Sequence, residues 1–402
     1  MPRPIRWFAF IATVLLIGLA TLTPFDVYAP PPAETELVNF RGLADAIANV
    51  LLFVPLGVTA ALIFRGGIPV VAGALLSMGV ELAQLGIPGR FSSALDVLFN
   101  SVGAAAGLVI VRKADIWLRP RGVWRGTLVV VSALPAIAAI GVGSFLFAPS
   151  VPHLDLYGQW TARFETMAHY SGEVLAAAVG GMSIGSHRAD APEELRRSLL
   201  AGDTISVTFR TGEPASRPAP IFSIYDGRRR EVVMIAADST TLLFRMRMRS
   251  LEARLSQPDI RVRDALTAES GSVSTARVWR ERSAYCVSVD AARWCRLGFT
   301  VGDTWSLLYY PVPAAVRTPL SLAWLAALAF PLGFWARTPR PTAAALAALL
   351  VLLLAIPHSA GILPTPASQL AAAVIGLAVG YRVGRRTERA VSLNRPAAVR
   401  PD

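Results

Sequence analysis

Residues 81–107 read ELAQLGIPGRFSSALDVLFNSVGAAAG. One apolar run ends near Ile87, a Pro-Gly turn follows, and a second apolar run starts at Ala94. The pattern predicts the end of one membrane helix, a tight turn and the start of the next. Into this apolar setting the chain places Glu81, Gln84, Arg90, Asp96 and Asn100. An ionisable group at membrane depth costs on the order of 3 kcal/mol on insertion scales, so each needs a reason to be there. Helical spacing gathers them. Glu81 and Gln84 share a face, and Asp96, Asn100, Gly103 and Gly107 fall on one stripe. The outer half of that stripe is polar. The inner half is a glycine seam of the kind that lets membrane helices approach closely.

Working outward, the rest of the chain has the same character. Of 402 residues, 53% are hydrophobic and only 16% are charged. Long uncharged stretches flank a charged middle third, which predicts membrane helices interrupted by one soluble domain. The net charge of +12 does not point to nucleic acid. Lys113 is the only lysine, and most arginines lie beside predicted spans, where a topology signal belongs.

Eight spans are expected, at Ile5–Leu22, Ala46–Phe64, Ile68–Ile87, Ala94–Val111, Thr127–Phe147, Leu320–Ala336, Thr342–Pro357 and Ser368–Val383. The first reads as an uncleaved helix, because no small-x-small cleavage site follows it closely. Arg112, Lys113, Arg119, Arg121 and Arg125 form the strongest positive-inside signal. Arg337 with Arg340, and Arg382 with Arg385, Arg386 and Arg389, repeat it. All fall on one side if both termini are cytoplasmic, which puts residues 150–314 outside an inner (plasma) membrane crossed many times. The expected domains are a five-helix unit over 1–148, the soluble domain over 150–314, a three-helix unit over 318–386 and a cytoplasmic tail over 387–402.

Residues 150–314 carry short runs rich in Val, Ile, Thr and aromatics, such as TISVTFR, EVVMIAA and AYCVSV. Around ten strands predict an all-β jelly-roll or two-sheet sandwich, interrupted by a short helix over Pro192–Ala201. Leu243–Met248 alternates apolar residues with arginine, the period of a half-buried strand. Cys286 and Cys295 flank a strand–turn–strand, where a disulfide is easy to form if the domain is extracytoplasmic. A faint internal repeat also shows. A shift of 273 lays Leu95–Gly107 over Ser368–Gly380, and Gly376 and Gly380 repeat Gly103 and Gly107. The polar residues do not repeat: Asp96 maps to Gln369, Asn100 to Ala373 and Glu81 to Leu354. The second copy therefore reads as a structural remnant without the site.

Connectivity alone brings Asn49, Glu81, Gln84, Arg90, Asp96 and Asn100 to one depth, on the side facing the soluble domain. The expectation is a small polar chamber between the second, third and fourth helices, with Arg90 within reach of Glu81 or Asp96. The plain alternative is that these residues only bolt three helices together. Asn49 with LLFVPLG, Glu81-x-x-Gln84, Arg90, Asp96-x-x-x-Asn100 and Gly103-x-x-x-Gly107 resemble the VanZ family of bacterial membrane proteins over about Thr21 to Arg112. That resemblance implies a cell-envelope role and a link to low-level glycopeptide (teicoplanin-type) resistance. The stretch APIFSIYDGRRREVVMIAADSTTLLFRMR resembles laminin G-like or concanavalin A-like modules in its strand pattern.

The four histidines lack metal-ligand spacing, and no phosphate loop, nucleophile elbow, dinucleotide fingerprint or glycanase carboxylate pair is present. No metal, cofactor or catalytic residue is nominated. The expected partners are a membrane lipid or lipid-linked glycan at the chamber and an envelope polysaccharide or protein at the β domain. Nucleic acid is not expected. An enzyme acting on a lipid-linked substrate, with Glu81 or Asp96 as acid–base, and an adhesion or sensing protein using only the β domain are the competing readings.

Overall fold

In the computed structural model, which describes residues 2–22, 42–87, 92–118, 120, 123–163, 167–267 and 269–393, the apolar runs are helices. Seven are long and apolar enough to cross a membrane: Arg3–Leu22, Leu43–Ala61, Ala94–Arg112, Val123–Leu146, Ala314–Ala336, Pro339–Ala360 and Ala367–Glu388. The other expected span is shorter than its hydropathy suggests. It forms a 17-residue helix over Ile68–Gln84, not Ile68–Ile87. At 1.5 Å per residue that is about 25 Å, against a hydrocarbon core of ~30 Å. Gly86 and the restriction Pro88 places on Ile87 explain the early stop. Large apolar side chains on these helices, such as Phe8, Leu15, Val130 and Leu354, remain exposed. A soluble protein seldom tolerates that much apolar surface, whereas lipid requires it. The architecture is that of a multi-pass helical membrane protein carrying a β domain.

The chain divides into two compact units. One comprises Met1–Val131, Ala253–Leu255 and Val383–Asp402, the other Ser132–Glu252 and Ser256–Arg382. The first holds α1 (Arg3–Leu22), α2 (Leu43–Ala61), α3 (Ile68–Gln84), α4 (Ala94–Arg112), α5 (Ala114–Leu118) and the start of α6 (Val123–Ile137). Here α2 and α4 meet backbone to backbone. A Cβ at Gly57 would overlap the Ala104 carbonyl oxygen, one at Gly103 the Val50 carbonyl and one at Gly107 the Val54 carbonyl.

The second unit begins within α6. Pro135 lacks a donor N–H, and the helix loosens into a π-turn over Ala138–Val142 before its last turn, α7 (Gly143–Leu146). The chain then builds two antiparallel sheets. The five-stranded sheet runs β1 (Leu156–Trp160), β5 (Ala219–Asp226), β6 (Glu231–Asp238), β7 (Thr241–Met246) and β8 (Ile260–Val262). The six-stranded sheet runs β11 (Ala292–Leu297), β10 (Ala284–Val289), β9 (Val273–Glu281), β4 (Ile205–Arg210), β2 (Glu173–Val179) and β3 (Met182–Ser183). Ile205, Val207 and Phe209 on β4 point into the shared core with Ile224, Val233, Phe244 and Val278, while Ser206 and Thr208 face away. The arginine alternation follows the same rule. Phe244 and Met246 enter the core, and Arg245 turns to the opposite face, where it pairs with Glu231 and Asp259.

The short helix α8 spans Pro192–Ala201, as its sequence predicts. Pro192 suits the first turn, and Gly202 ends the helix at φ 84°, in the left-handed region. Leu195 and Leu199 bury its inner face in the sandwich. Cys286 and Cys295 form a disulfide across the β10–β11 hairpin.

After the sandwich come a 3-10 segment over Val301–Leu307 and the helices α9 (Ala314–Ala336), α10 (Pro339–Ala360) and α11 (Ala367–Leu393). The 3-10 segment is tied to α9 and α11 by side chains. Trp305 Nε1 donates to Ser321 Oγ at 3.0 Å, and Ser321 donates to Asp303 Oδ1 at 2.7 Å. Trp324 Nε1 donates to Thr304 Oγ1 at 3.0 Å. Gln369 accepts the Gly302 N–H at 3.2 Å and donates to Thr300 Oγ1 at 2.7 Å.

The internal repeat is visible as packing. In α9 and α11 a Cβ at Gly333 would overlap the Leu377 carbonyl, one at Gly376 the Ala326 carbonyl and one at Gly380 the Phe330 carbonyl. An offset of 276 carries the α2 positions onto α9, and 273 carries the α4 positions onto α11. Pro55-Leu56-Gly57 becomes Pro331-Leu332-Gly333. The helix pairs α2–α4 and α9–α11 share one backbone register. Asp96 and its counterpart Gln369 are both buried, at 7% and 6% exposure.

Candidate functional site

The site lies between α2, α3 and α4 and is built from short polar side chains on closely packed helices. On α3, Gly73 faces the Ala104 side chain. Ser77, Glu81 and Gln84 follow at successive turns along the same face, all buried. Ser93 caps α4, its hydroxyl accepting the Leu95 N–H at 3.2 Å. Asp96 stands in the first turn of α4, where a carboxylate is favoured by the helix dipole. Asn100 follows one turn on and is 3% exposed.

The hydrogen bonds connect these groups in a definite order. Glu81 Oε2 accepts the Ser93 N–H at 2.8 Å and the Ser92 hydroxyl at 3.0 Å. Ser92 also donates to the Glu81 carbonyl at 2.7 Å. The Glu81 carboxylate thus sits on an amide at the start of α4, a use that helix ends offer to any anion. Gln84 Nε2 donates to the Thr21 carbonyl at 3.0 Å, tying α3 to the last turn of α1. Asn100 Nδ2 donates to Ser77 Oγ at 2.8 Å.

Two valences stay open. The Asn100 carbonyl oxygen and the Asn49 amide nitrogen are buried and have no hydrogen-bond partner among the described residues. A buried amide group left unmade costs about 1–3 kcal/mol, so an acceptor and a donor are held ready at that expense. Both groups are neutral: the Asn49 nitrogen is a donor and the Asn100 oxygen an acceptor. Arg90 lies outside the described residues.

Of the expected residues, Glu81, Gln84, Asp96 and Asn100 line buried faces of α3 and α4, and Asn49 contributes its buried amide from α2. Gly103 and Gly107 form the seam beneath them. Sequence reasoning passed over Ser77, Ser92 and Ser93. Ser77 sits four residues before Glu81, on the face already singled out, and Ser93-x-x-Asp96 has the spacing of an N-terminal capping pair. Both signals were present and were masked by the commonness of serine. Among the described residues, the tryptophans of residues 150–314 have separate surroundings. Trp160 and Trp294 pack against the core, Trp305 is buried in the link to α9, and Trp279 lies beneath Arg293 at 4.9 Å.

Residues 7–118 match the family model described as VanZ/LLP1. That stretch contains Asn49, Glu81, Gln84, Asp96 and Asn100 and extends the similarity back into α1. No curated protein and no solved structure matches the chain. The N-terminal helices, roughly a quarter of the sequence, are therefore similar to the VanZ/LLP1 family, and the β domain and α9–α11 lie outside the match.

Proposed function

We propose that the α2–α3–α4 chamber binds the polar part of a membrane lipid or lipid-linked glycan in a bacterial cell envelope. The observation that carries this reading is the pair of buried, unpartnered groups on Asn49 and Asn100. Asn100 bonds Ser77 through Nδ2, but its carbonyl oxygen and the Asn49 amide nitrogen are left over, which bolting alone does not require. The VanZ-like match supports an envelope role and, with it, a contribution to glycopeptide (teicoplanin-type) resistance. The disulfide supports an oxidising compartment for residues 150–314, hence cytoplasmic termini. The two-sheet sandwich is compatible with a concanavalin A-like or laminin G-like module that meets an envelope polysaccharide or a protein.

The test separates binding from bolting. Asn49→Leu removes an unsatisfied donor at similar volume. It is expected to leave the melting temperature unchanged or raised, since loss of an orphaned polar group is neutral to stabilising. Lipid identified by mass spectrometry on the purified protein should nonetheless fall away in Asn49→Leu and in Asn100→Leu. A variant that keeps its lipid, or one that loses lipid only because it no longer inserts, would sink the binding reading.

A second reading has one observation behind it. Ser92 Oγ lies 3.0 Å from Glu81 Oε2, the spacing of a hydroxyl and a base. An enzyme would lose turnover in Glu81→Gln while retaining lipid. Glu81 already holds the start of α4, so binding is the better-supported role.

A further inference from the structure

A second site stands apart from the chamber, wholly within the second unit. Between β8, the end of β11, the 3-10 segment and the first turn of α9 lies a cavity of about 250 Å³. Its charged lining is Asp259, Arg261, Arg296, Asp303 and Arg317, with Tyr310 between them.

The two carboxylates are already taken. Asp259 is 2% exposed and accepts from Arg261 Nε at 2.9 Å, from Arg245 Nη2 at 3.4 Å and from the Tyr310 hydroxyl. Asp303 accepts the Thr300 N–H at 2.8 Å, the Thr300 hydroxyl at 2.7 Å and the Ser321 hydroxyl at 2.7 Å. Neither has much left to offer a cation.

The arginines are not all spent. Arg317 donates through Nη2 to Tyr310 at 2.5 Å and pairs through the same nitrogen with Asp259 at 3.6 Å, while its Nη1 makes no bond among the described residues. Arg296 makes no side-chain hydrogen bond or ion pair among the described residues and reaches the cavity from a left-handed backbone, φ 61°. Three guanidinium groups thus face two saturated carboxylates, and two of the three keep open donors.

The surroundings suggest where a ligand comes from. Arg317 sits in the first turn of α9, a helix apolar enough to cross a membrane. Tyr310 lies against Arg317, its sequence neighbour Tyr309 is 68% exposed, and Trp305 and Trp324 join the 3-10 segment to the next turns of α9. Tryptophan and tyrosine at the start of a span mark the headgroup level of a bilayer. Guanidinium forks match phosphate oxygens in shape as well as charge. The volume is just below the ~300–1,000 Å³ of drug-sized ligand sites, which suits one headgroup rather than a whole glycan.

We infer that this cavity is an oxyanion site for a phosphate group at the membrane interface, with Arg296 and Arg317 as its principal donors. The phosphate belongs either to a lipid headgroup or to a free phosphate compound.

The full chain is tested in phosphatidylcholine nanodiscs by titrating inorganic phosphate against tryptophan fluorescence. In parallel, native mass spectrometry scores retention of phosphatidylglycerol from doped nanodiscs. Arg296→Gln is the primary variant, because that side chain holds no structural bond. It is expected to weaken binding about tenfold, the weight of one charge-assisted hydrogen bond. Arg317→Gln should do the same, with Arg263→Gln, which does not line the cavity, as control. A response confined to inorganic phosphate assigns the soluble source, and one confined to phosphatidylglycerol assigns the headgroup. Arg263→Gln must leave both readouts at wild-type level, and phospholipid that only Asn49→Leu releases belongs to the α2–α3–α4 site. If Arg296→Gln equals wild type with both probes, or if only Asn49→Leu releases the phospholipid, the cavity is not the site.

Discussion

Asp259→Ala is expected to lower the stability of the full chain by about 3–5 kcal/mol, the usual cost of removing one partner from a buried ion pair. The carboxylate is almost fully buried and joins parts of the chain that are distant in sequence. Arg245 lies on β7, Arg261 on β8, and Tyr310 and Arg317 belong to the connection into α9. Without it, several guanidinium groups are left crowded together. Asp259→Asn keeps the volume and should fall between wild type and alanine. Acid should reproduce the effect. Burial alone would raise the Asp259 carboxyl, but hydrogen bonds from Arg261 and Tyr310 and the charges of Arg261 and Arg245 outweigh it and hold it below its ordinary 3.8. A depressed carboxyl contributes stability that is fully present above the ordinary value and is lost as pH falls through the lower, folded-state value. Thermal melts of wild type in detergent should therefore drop steeply below about pH 4, with a shallower acid slope in Asp259→Asn. A melting temperature within a degree or two of wild type for Asp259→Ala would show that the network carries little of the fold.

The other large effect belongs to the glycine seams. Gly103→Leu and Gly376→Leu should each abolish monodisperse folded protein. In both cases the new side chain meets a backbone carbonyl, of Val50 or of Ala326, and no rotamer relieves that. Ordinary overpacking costs about 1–3 kcal/mol, and a clash with helix backbone lies at the top of that range or beyond. Gly79 and Gly126 provide the control, since neither has an atom within 4 Å of a Cβ position. Gly79→Leu should behave like wild type on size exclusion. Equal tolerance of leucine at Gly79 and Gly103 would refute the packing argument.

What could be seen without coordinates follows a physical line. Elements specified by local periodicity were legible: seven spans to within a few residues, the helix Pro192–Ala201 at its exact bounds, and the hairpin carrying Cys286 and Cys295. The end of α3 was misjudged because Leu85 and Ile87 are apolar, and hydropathy does not register that Gly86 and Pro88 stop a helix. The burial of Glu81, Gln84, Asp96 and Asn100 was legible because charge and polarity are costly in lipid and therefore conspicuous. Asp259 and Arg317 were not, because an aspartate in a water-soluble domain carries no such mark. Its partners lie two, fourteen and about fifty residues away and only the tertiary fold assembles them. The repeat showed faintly through its glycines and became evident only when each glycine was found against the corresponding carbonyl.

That shared register bears on how many ligands one chain can hold. In the C-terminal triplet the position of Asp96 is Gln369, already occupied by Gly302 and Thr300, and the position of Asn100 is Ala373, which offers nothing to bind. The chain repeats the glycine packing but not the polar side chains of α3 and α4. If the proposed lipid sits at Asn49 and Asn100, the expected titration is one equivalent per chain, and two helical triplets do not make the protein bivalent for it.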